Sequence, residues 1–394
     1  MELEEYKNIL LDTLQSAKAK KYAGYSKFDA LNSPLIKALS FKNKYLRLIF
    51  IQSVMRCPLH IRPLLGVKQS INPKGIALFV RAYLYMFEMT QESSYLDEAK
   101  NLLDWLSDNP SPNRKYYCWG YNFIWQSTLF LQDKYEPNAV VTTFACESFI
   151  HAYRITKNEK YLNIARSAVD FLIYELPVLH ETAEERAISY VTQRAKSIVL
   201  NNQVLTGAAI LKVWTHTKES QLLEIAEKQY NYTINRKTDY NCWYYTHPKE
   251  NSPITHDNYH TGGILDGILE YWEETGNEKF MPIYWGGLEY YKTNLFENNG
   301  APRWMNDKKY PFDIHGGAQG IISFAKAGKY RNEHFKTAEL ILDWTVNNLY
   351  RTRTNDFIYR NGKYINWNYS LMRWCNAWMA FSIGSFVKFS KMDL

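Results

Sequence analysis

Apolar residues along this chain recur at three- and four-residue spacings, the period of a helix with one buried stripe. The pattern is itself repeated. Tyr95-Leu96-Asp97-Glu98-Ala99, Tyr161-Leu162-Asn163-Ile164-Ala165 and Leu222-Leu223-Glu224-Ile225-Ala226 align, with fainter copies at Phe280 and around His334-Phe335. Thr90, Thr156, Thr217 and Thr275 stand five residues ahead of their registers, and Phe87, Tyr153, Trp214 and Trp272 three further back. Each unit reads as helix, short polar turn, helix, so the units are antiparallel hairpins. First helices are predicted near 76–89, 138–155, 199–216, 258–274, 314–327 and 369–389. Second helices are predicted near 93–108, 158–175, 219–235, 278–296 and 333–350.

Six first helices face only five second ones. The missing partner is sought in the N-terminal region, where Pro34–Val54 is apolar at helical spacing and Ser33-Pro34 suits a helix start. An N-terminal helix beside the last one closes a ring. The fold predicted is therefore all-α, an (α/α)6 toroid over residues 1–394 as one domain, with helices within about 1–56 closing it. First helices form the inner ring and second helices the outer one. An open stack would need capping ends, whereas closure buries both. Gly207, Gly316 and Gly317 lie in or at the start of inner helices, where glycine costs roughly 1 kcal/mol. Close packing is the expected compensation at Gly207. Gly316 and Gly317 fit either packing or a ligand near the backbone.

Composition narrows the function. Lys+Arg 47 against Asp+Glu 40 gives a net charge of +7 with no long basic run, so nucleic acid is not indicated, while an anionic ligand is compatible. Met1-Glu2-Leu3-Glu4-Glu5 lacks the features of a signal peptide, and no segment approaches a membrane span. Five scattered cysteines without a CxxC suggest reduced thiols in the cytoplasm and neither a zinc site nor another cofactor. The excess is aromatic: Tyr 31, Trp 12 and Phe 19, many of them outside the predicted helices.

The long loops, near 109–137, 176–198, 236–257, 297–313 and 351–368, all enter first helices and so share one face of the toroid. Trp119, Asn122, Trp125 and Gln126 lie in the first. His256 lies in the third. Arg303 and Trp304 lie in the fourth, and Trp367 and Tyr369 at the end of the fifth. Aromatic rings beside amides, acids and histidines suit a sugar, which offers an apolar face and hydroxyls together. Packing of loops onto the ring is the alternative for many of these aromatics.

Asn138, Asn202, Asp257 and Asp313 precede or begin apolar helical runs, and N-capping is their default role. For Asn138 and Asn202 capping is favoured. Asp257 and Asp313 have His256, Tyr259, His260 and His315 around them at corresponding positions of adjacent units. Two carboxylates across one pocket are the minimal equipment for glycosidic hydrolysis. The same histidines with Tyr259 could instead move a proton beside a carboxylate. Arg303, Arg373 and Lys115 are candidate anion clamps, with Arg373, followed by Trp374, favoured because it sits one turn into a predicted inner helix, where an arginine needs a partner. Asn202 and Gln319 add amides.

These helix pairs resemble the six-hairpin glycosidase-like superfamily over most of the chain. Trp119-Gly120-Tyr121-Asn122-Phe123-Ile124-Trp125-Gln126-Ser127, Asp313-Ile314-His315-Gly316-Gly317-Ala318-Gln319, Met372-Arg373-Trp374 and Ala377-Trp378-Met379 look like a bacterial family linked with surface-polysaccharide gene clusters. The superfamily includes unsaturated uronyl hydrolases, sugar 2-epimerases, uronyl C5-epimerases and polysaccharide lyases. The resemblance implies an oligosaccharide or polysaccharide partner, acidic in some members, but carries no catalytic motif over. His315-Gly316-Gly317-Ala318-Gln319-Gly320 is also similar to lanthionine-cyclase-like toroids, whose zinc site needs cysteines that do not adjoin His315 here. The leading expectation is an intracellular enzyme of polysaccharide metabolism that cleaves a glycosidic bond with Asp257 and Asp313. The alternatives are a uronyl epimerase or lyase using His260, His315 and Tyr259, a non-catalytic glycan binder, and, less favoured, an isoprenoid enzyme.

Overall fold

The computed structural model describes residues 1–390. In chain order its helices are α1 Leu3–Ala19, α2 Pro34–Leu39, α3 Lys44–Arg56, α4 Pro73–Thr90, α5 Ser93–Asp108, α6 Ala139–Thr156, α7 Glu159–Asp170, α8 Leu200–Thr217, α9 Ser220–Ile234, α10 Asn258–Thr275, α11 Met281–Leu295, α12 Ile314–Gly328, α13 Glu333–Leu349 and α14 Trp378–Ser390. A π-helical turn, Met372–Ala377, leads into α14, and another, Phe171–Glu175, follows α7.

The even-numbered helices from α4 to α14 pack each on the next, and α14 returns to α4. This is a closed inner ring. The contrast between inner and outer helices follows from their sequences. Every residue of α12 is buried, as a helix apolar nearly all round must be. Outer α7 buries only Tyr161, Ile164, Ala165, Ala168 and Val169, one stripe at helical spacing. The repeated threonines end the inner helices. Thr90, Thr156 and Thr275 each accept a hydrogen bond from the backbone N–H two residues on. The intervening Gln91, Lys157 and Gly276 take the left-handed conformation that stops the helix.

The sixth outer helix is α1. Its Tyr6 packs edge-on against Phe386 of α14 and donates a 2.5 Å hydrogen bond to Asp343. The expectation that Pro34–Val54 fills this place is corrected. Ser33 does cap a helix there, accepting from the Ile36 N–H, but α2 is short. α2 and α3 instead build a cap around a small core of Ala30, Leu31, Ile36, Ile51 and Val54. Asn122 ties the cap to the rim: its side chain accepts from Asn72 at 2.6 Å and donates to Ser70 at 2.8 Å. Trp367 donates to the Arg56 carbonyl at 3.1 Å. The long loops also form short antiparallel ladders, such as Val178–Glu181 with Arg186–Ile188.

Packing accounts for the glycines. A Cβ on Gly207 would stand 2.9 Å from Tyr230, on Gly316 3.2 Å from Pro302, and on Gly317 2.7 Å from Thr345. Halfway down the ring an ion-pair ladder crosses five inner helices. Arg81 (α4) meets Glu147 (α6) at 2.7 Å, and Lys212 (α8) also meets Glu147. Lys212 reaches Glu270 (α10) at 2.8 Å, and Lys326 (α12) reaches Glu270 at 2.7 Å and Asp266 at 3.7 Å. Three cations balance three carboxylates, which is the condition for carrying charge so deep.

Candidate active site

All six inner helices begin at the loop face, so their N-termini and positive dipole ends converge there. The residues immediately before the first helical positions are Asn72, Asn138, Val199, Asp257, Asp313 and Leu371. Two residues on from each stand Lys74, Val140, Asn201, Tyr259, His315 and Arg373. This register furnishes much of the mouth. Lys74 lies 3.8 Å from the Phe144 ring and 5.1 Å from Trp378, so α4, α6 and α14 meet over it.

Asp257 accepts the His260 backbone N–H at 3.1 Å and the His260 Nδ1–H at 2.7 Å. A helix cap thus also fixes an imidazole, leaving Nε2 as its free nitrogen. Asp313 accepts from the His315 backbone at 3.0 Å, from Trp374 Nε1 at 2.7 Å and from Arg360 Nε at 2.7 Å, with Lys27 Nζ at 3.9 Å. Burial alone would raise the Asp313 carboxyl, but Arg360 and Lys27 outweigh it and hold it below its ordinary value. Asp313 is a fixed carboxylate whose oxygens are already engaged.

His315 is buried, and neither ring nitrogen has a protein partner. Its ring stacks on Tyr259 at 4.6 Å and 5°, and Trp374 and Trp378 close on it at 4.4 and 4.3 Å. Burial, then Lys74, Arg373 and Lys27, push its pKa well below the usual histidine value, so the imidazole is neutral. Tyr259 also touches His260, ring to ring at 4.5 Å. Burial and the two aspartates push its phenol well above 10, which keeps it protonated.

Four buried cations surround these groups. Arg360 is paired with Asp313, and Lys27 stands 3.7 Å over the Trp374 ring. Arg373 and Lys74 have no acidic partner within 4 Å among the described residues, and Arg373 Nε is unbonded. Burial lowers the pKa of Lys27, Lys74 and Arg373. Such a site suits an anion.

The other sequence-derived candidates divide. Trp304 lies beneath Arg360 at 4.4 Å and belongs to the mouth, as does Trp125, stacked on Phe28 of the cap at 5.3 Å. Asn202 is the third residue of α8 and caps nothing, which corrects the capping expectation; both its side-chain polar atoms are buried and unpartnered. Asn138 does cap α6, accepting from the Val141 N–H at 2.9 Å. Trp119 is fully buried and donates to the Leu106 carbonyl, so it packs the ring. Gln126 bonds its own loop, and His256 is held between the Trp243 carbonyl and the Tyr240 hydroxyl. Arg303 pairs with Glu297 at 3.0 Å, and Gln319 bonds Asp266 in the ladder. Asn122, Trp367 and Tyr369 anchor the cap. Lys115 is exposed beside Tyr116. An open cleft of about 290 Å³ lies beside Tyr369, lined also by Lys20, His60, Asp356 and Asn376. Among the described residues no group of three or more His, Cys, Asp or Glu side chains is arranged to hold a metal, and no helix is long and apolar enough to cross a membrane.

Lys27, Lys74, Arg360 and Trp378 were not foreseen from sequence. Lys74 had a signal, its place two residues after Asn72 in the shared register. Lys27 had none, because the cap that carries it lies outside the repeat.

The closed ring of helix hairpins is an (α/α)6 toroid, a fold shared with solved structures to which the chain is similar. Solved structures with this fold include an α-mannanase of glycoside hydrolase family 76 from Bacteroides thetaiotaomicron, at 15% identity with TM-score 0.64, covering 82% of this chain and 88% of that one. A sugar epimerase from a ruminal bacterium matches at 12% identity and TM-score 0.66, over 84% and 91%. An unsaturated glucuronyl hydrolase specific for heparin matches at 12% and 0.60, over 83% and 88%. No family model and no curated protein matches the chain in sequence.

Proposed function

We propose that the protein is a carbohydrate-active enzyme that moves a proton at the carbon beside the carboxylate of a uronic-acid residue, as an epimerase or a lyase. One observation carries this reading: two buried cations without acidic partners, Arg373 and Lys74, stand around a neutral imidazole, His315, whose nitrogens are both free. A uronate carboxylate satisfies the cations. It also offsets the Lys74, Arg373 and Lys27 charges, which after burial are what depress His315, so binding the substrate raises the basicity of the group beside it. Sugar-processing neighbours with this fold, the epimerase among them, support the substrate class.

In this chemistry a histidine, His260 or His315, takes the C5 proton. The C–H electron pair moves into the carboxyl group as an enediolate, and Arg373 and Lys74 neutralise it. Return of a proton to the other face from the Tyr259 phenol inverts C5, and the phenolate recovers its proton from the imidazolium that took the C5 proton. If the C4–O bond breaks instead, the pair leaves on the glycosidic oxygen and a C4=C5 double bond remains.

Glycosidic hydrolysis by Asp257 and Asp313 is the second reading. Its support is that Lys27 and Tyr259 each feel both carboxylates, so the two converge on one mouth. Its difficulty is that Asp313 is bound to Arg360 and Trp374, and Asp257 to His260.

The test is incubation with a panel of uronic-acid oligosaccharides in D2O, followed by NMR. Deuterium at C5, or an unsaturated uronyl product absorbing near the ultraviolet, is expected, and His315→Gln abolishes it. New reducing ends without deuterium or unsaturation would overturn the proposal in favour of hydrolysis.

A further inference from the structure

The outer surface of the cap has a composition unlike the rest of the molecule. No Asp or Glu occurs from Ala30 to Phe87, while Lys37, Lys42, Lys44, Arg47, Arg56 and Lys68 fall within the cap. Arg62 and Lys27 are the buried cations of the cap, Arg62 paired with Asp29 at 2.7 Å. Among these basic residues stand large apolar side chains turned to solvent: Leu64 at 87% exposure, Phe41 at 78%, Tyr45 at 72% and Leu59 at 69%. Within α3, Tyr45, Ile49 and Arg56 lie at spacings of four and seven, on the side away from buried Ile51, Val54 and Met55. The hairpin that receives the Arg56 carbonyl adds exposed Tyr364 and Ile365 beside Lys363.

Soluble surfaces scatter large apolar groups singly, and a cluster rimmed by one sign of charge marks an interaction face. We propose that this face of the cap docks the protein onto an anionic lipid surface. Charge complementarity selects the occupant. A cap segment with exposed cations and no exposed carboxylate of its own repels a second copy of itself, whereas acidic headgroups neutralise it and the acyl boundary accepts Phe41, Tyr45, Leu59 and Leu64. The contact is peripheral, with the side chains rather than a helix entering the bilayer. The inference is independent of the catalytic reading. Its consequence is that the cap, which delivers Lys27 and Phe28 to the mouth, holds that mouth beside the lipid.

The experiment is sedimentation of the full chain with vesicles of phosphatidylcholine alone and with phosphatidylglycerol added. Binding to the anionic vesicles only is expected, and it falls steeply with salt. Lys37→Glu/Arg56→Glu/Lys68→Glu weakens it more than tenfold, and Leu59→Ser/Leu64→Ser weakens it at fixed salt. Circular dichroism verifies that each variant is folded, and an uronate turnover assay reads the mouth separately. Absence of binding to anionic vesicles at low salt overturns the proposal, as does equal binding of the charge-reversed variant. Concentration-dependent dimers abolished by the same substitutions would also overturn it and assign the face to a second copy.

Discussion

Asp313 joins a helix start, an arginine and a tryptophan at one buried carboxylate. Asp313→Asn leaves Arg360 buried without its counter-charge, and a loss of about 3–5 kcal/mol of stability is expected in urea unfolding. Asp97→Asn on the exposed surface should change stability by under about 0.5 kcal/mol. The pH dependence has a definite sign. Asp313 is depressed from its ordinary 3.8, so its contribution is complete above that value and is lost as pH falls through the lower folded value. His315 is also depressed, from 6.5, so below 6.5 the unfolded chain takes up a proton that the folded chain refuses, and stability falls with pH. His315→Gln should flatten that slope by about 1.4 kcal/mol per pH unit, measured as unfolding free energy between pH 6 and 5. Asp257 and Asp313 were legible because a capping position beside histidines is a local pattern. Trp119 misled because an indole beside an amide reads alike whether it stacks a sugar or fills a core, and only its hydrogen bond to Leu106 distinguishes the two.

Among elements, the inner helices carry an obligation the outer ones lack. Their side chains meet at the ring axis, and where those are charged every partner is needed. Glu270→Gln leaves three buried cations with two carboxylates, since Lys212 keeps only Glu147 and Lys326 only Asp266, and a loss of about 3–5 kcal/mol is expected. Lys160→Ala, which breaks an exposed pair with Asp104, should cost less than about 1 kcal/mol in the same denaturation series. Most helix hairpins were legible to within one to three residues, since periodicity and repeated turn residues specify them locally, while the π-helical turns Phe171–Glu175 and Met372–Ala377 were not. The short ladders in the loops were not, because two- to four-residue strands take their definition from a partner chain segment rather than from their own alternation. The segment 34–54 was legible as helical but not as a cap. Its apolar stripe states that it must pack somewhere, and only the rim held by Asn122 and Trp367 states where.

For the whole molecule, α1 completes the outer ring by covering α14. Removing residues 1–19 uncovers the face of α14 that Tyr6, Leu10 and Leu14 bury, and calorimetry should show the single cooperative transition lost or moved down by at least about 10 °C. The seam between α1 and α14 joins opposite ends of the described chain, and this fixes an order of events during synthesis. Hairpins from α4 to α13 can form as they leave the ribosome, each on its neighbour. α1 emerges before them and waits, with its apolar stripe uncovered, for α14. Until then the faces of α4 and α12 that receive α14 are bare as well. The nascent toroid is an open crescent with two sticky edges, and its hazard is joining the crescent of another chain before its own last helix arrives.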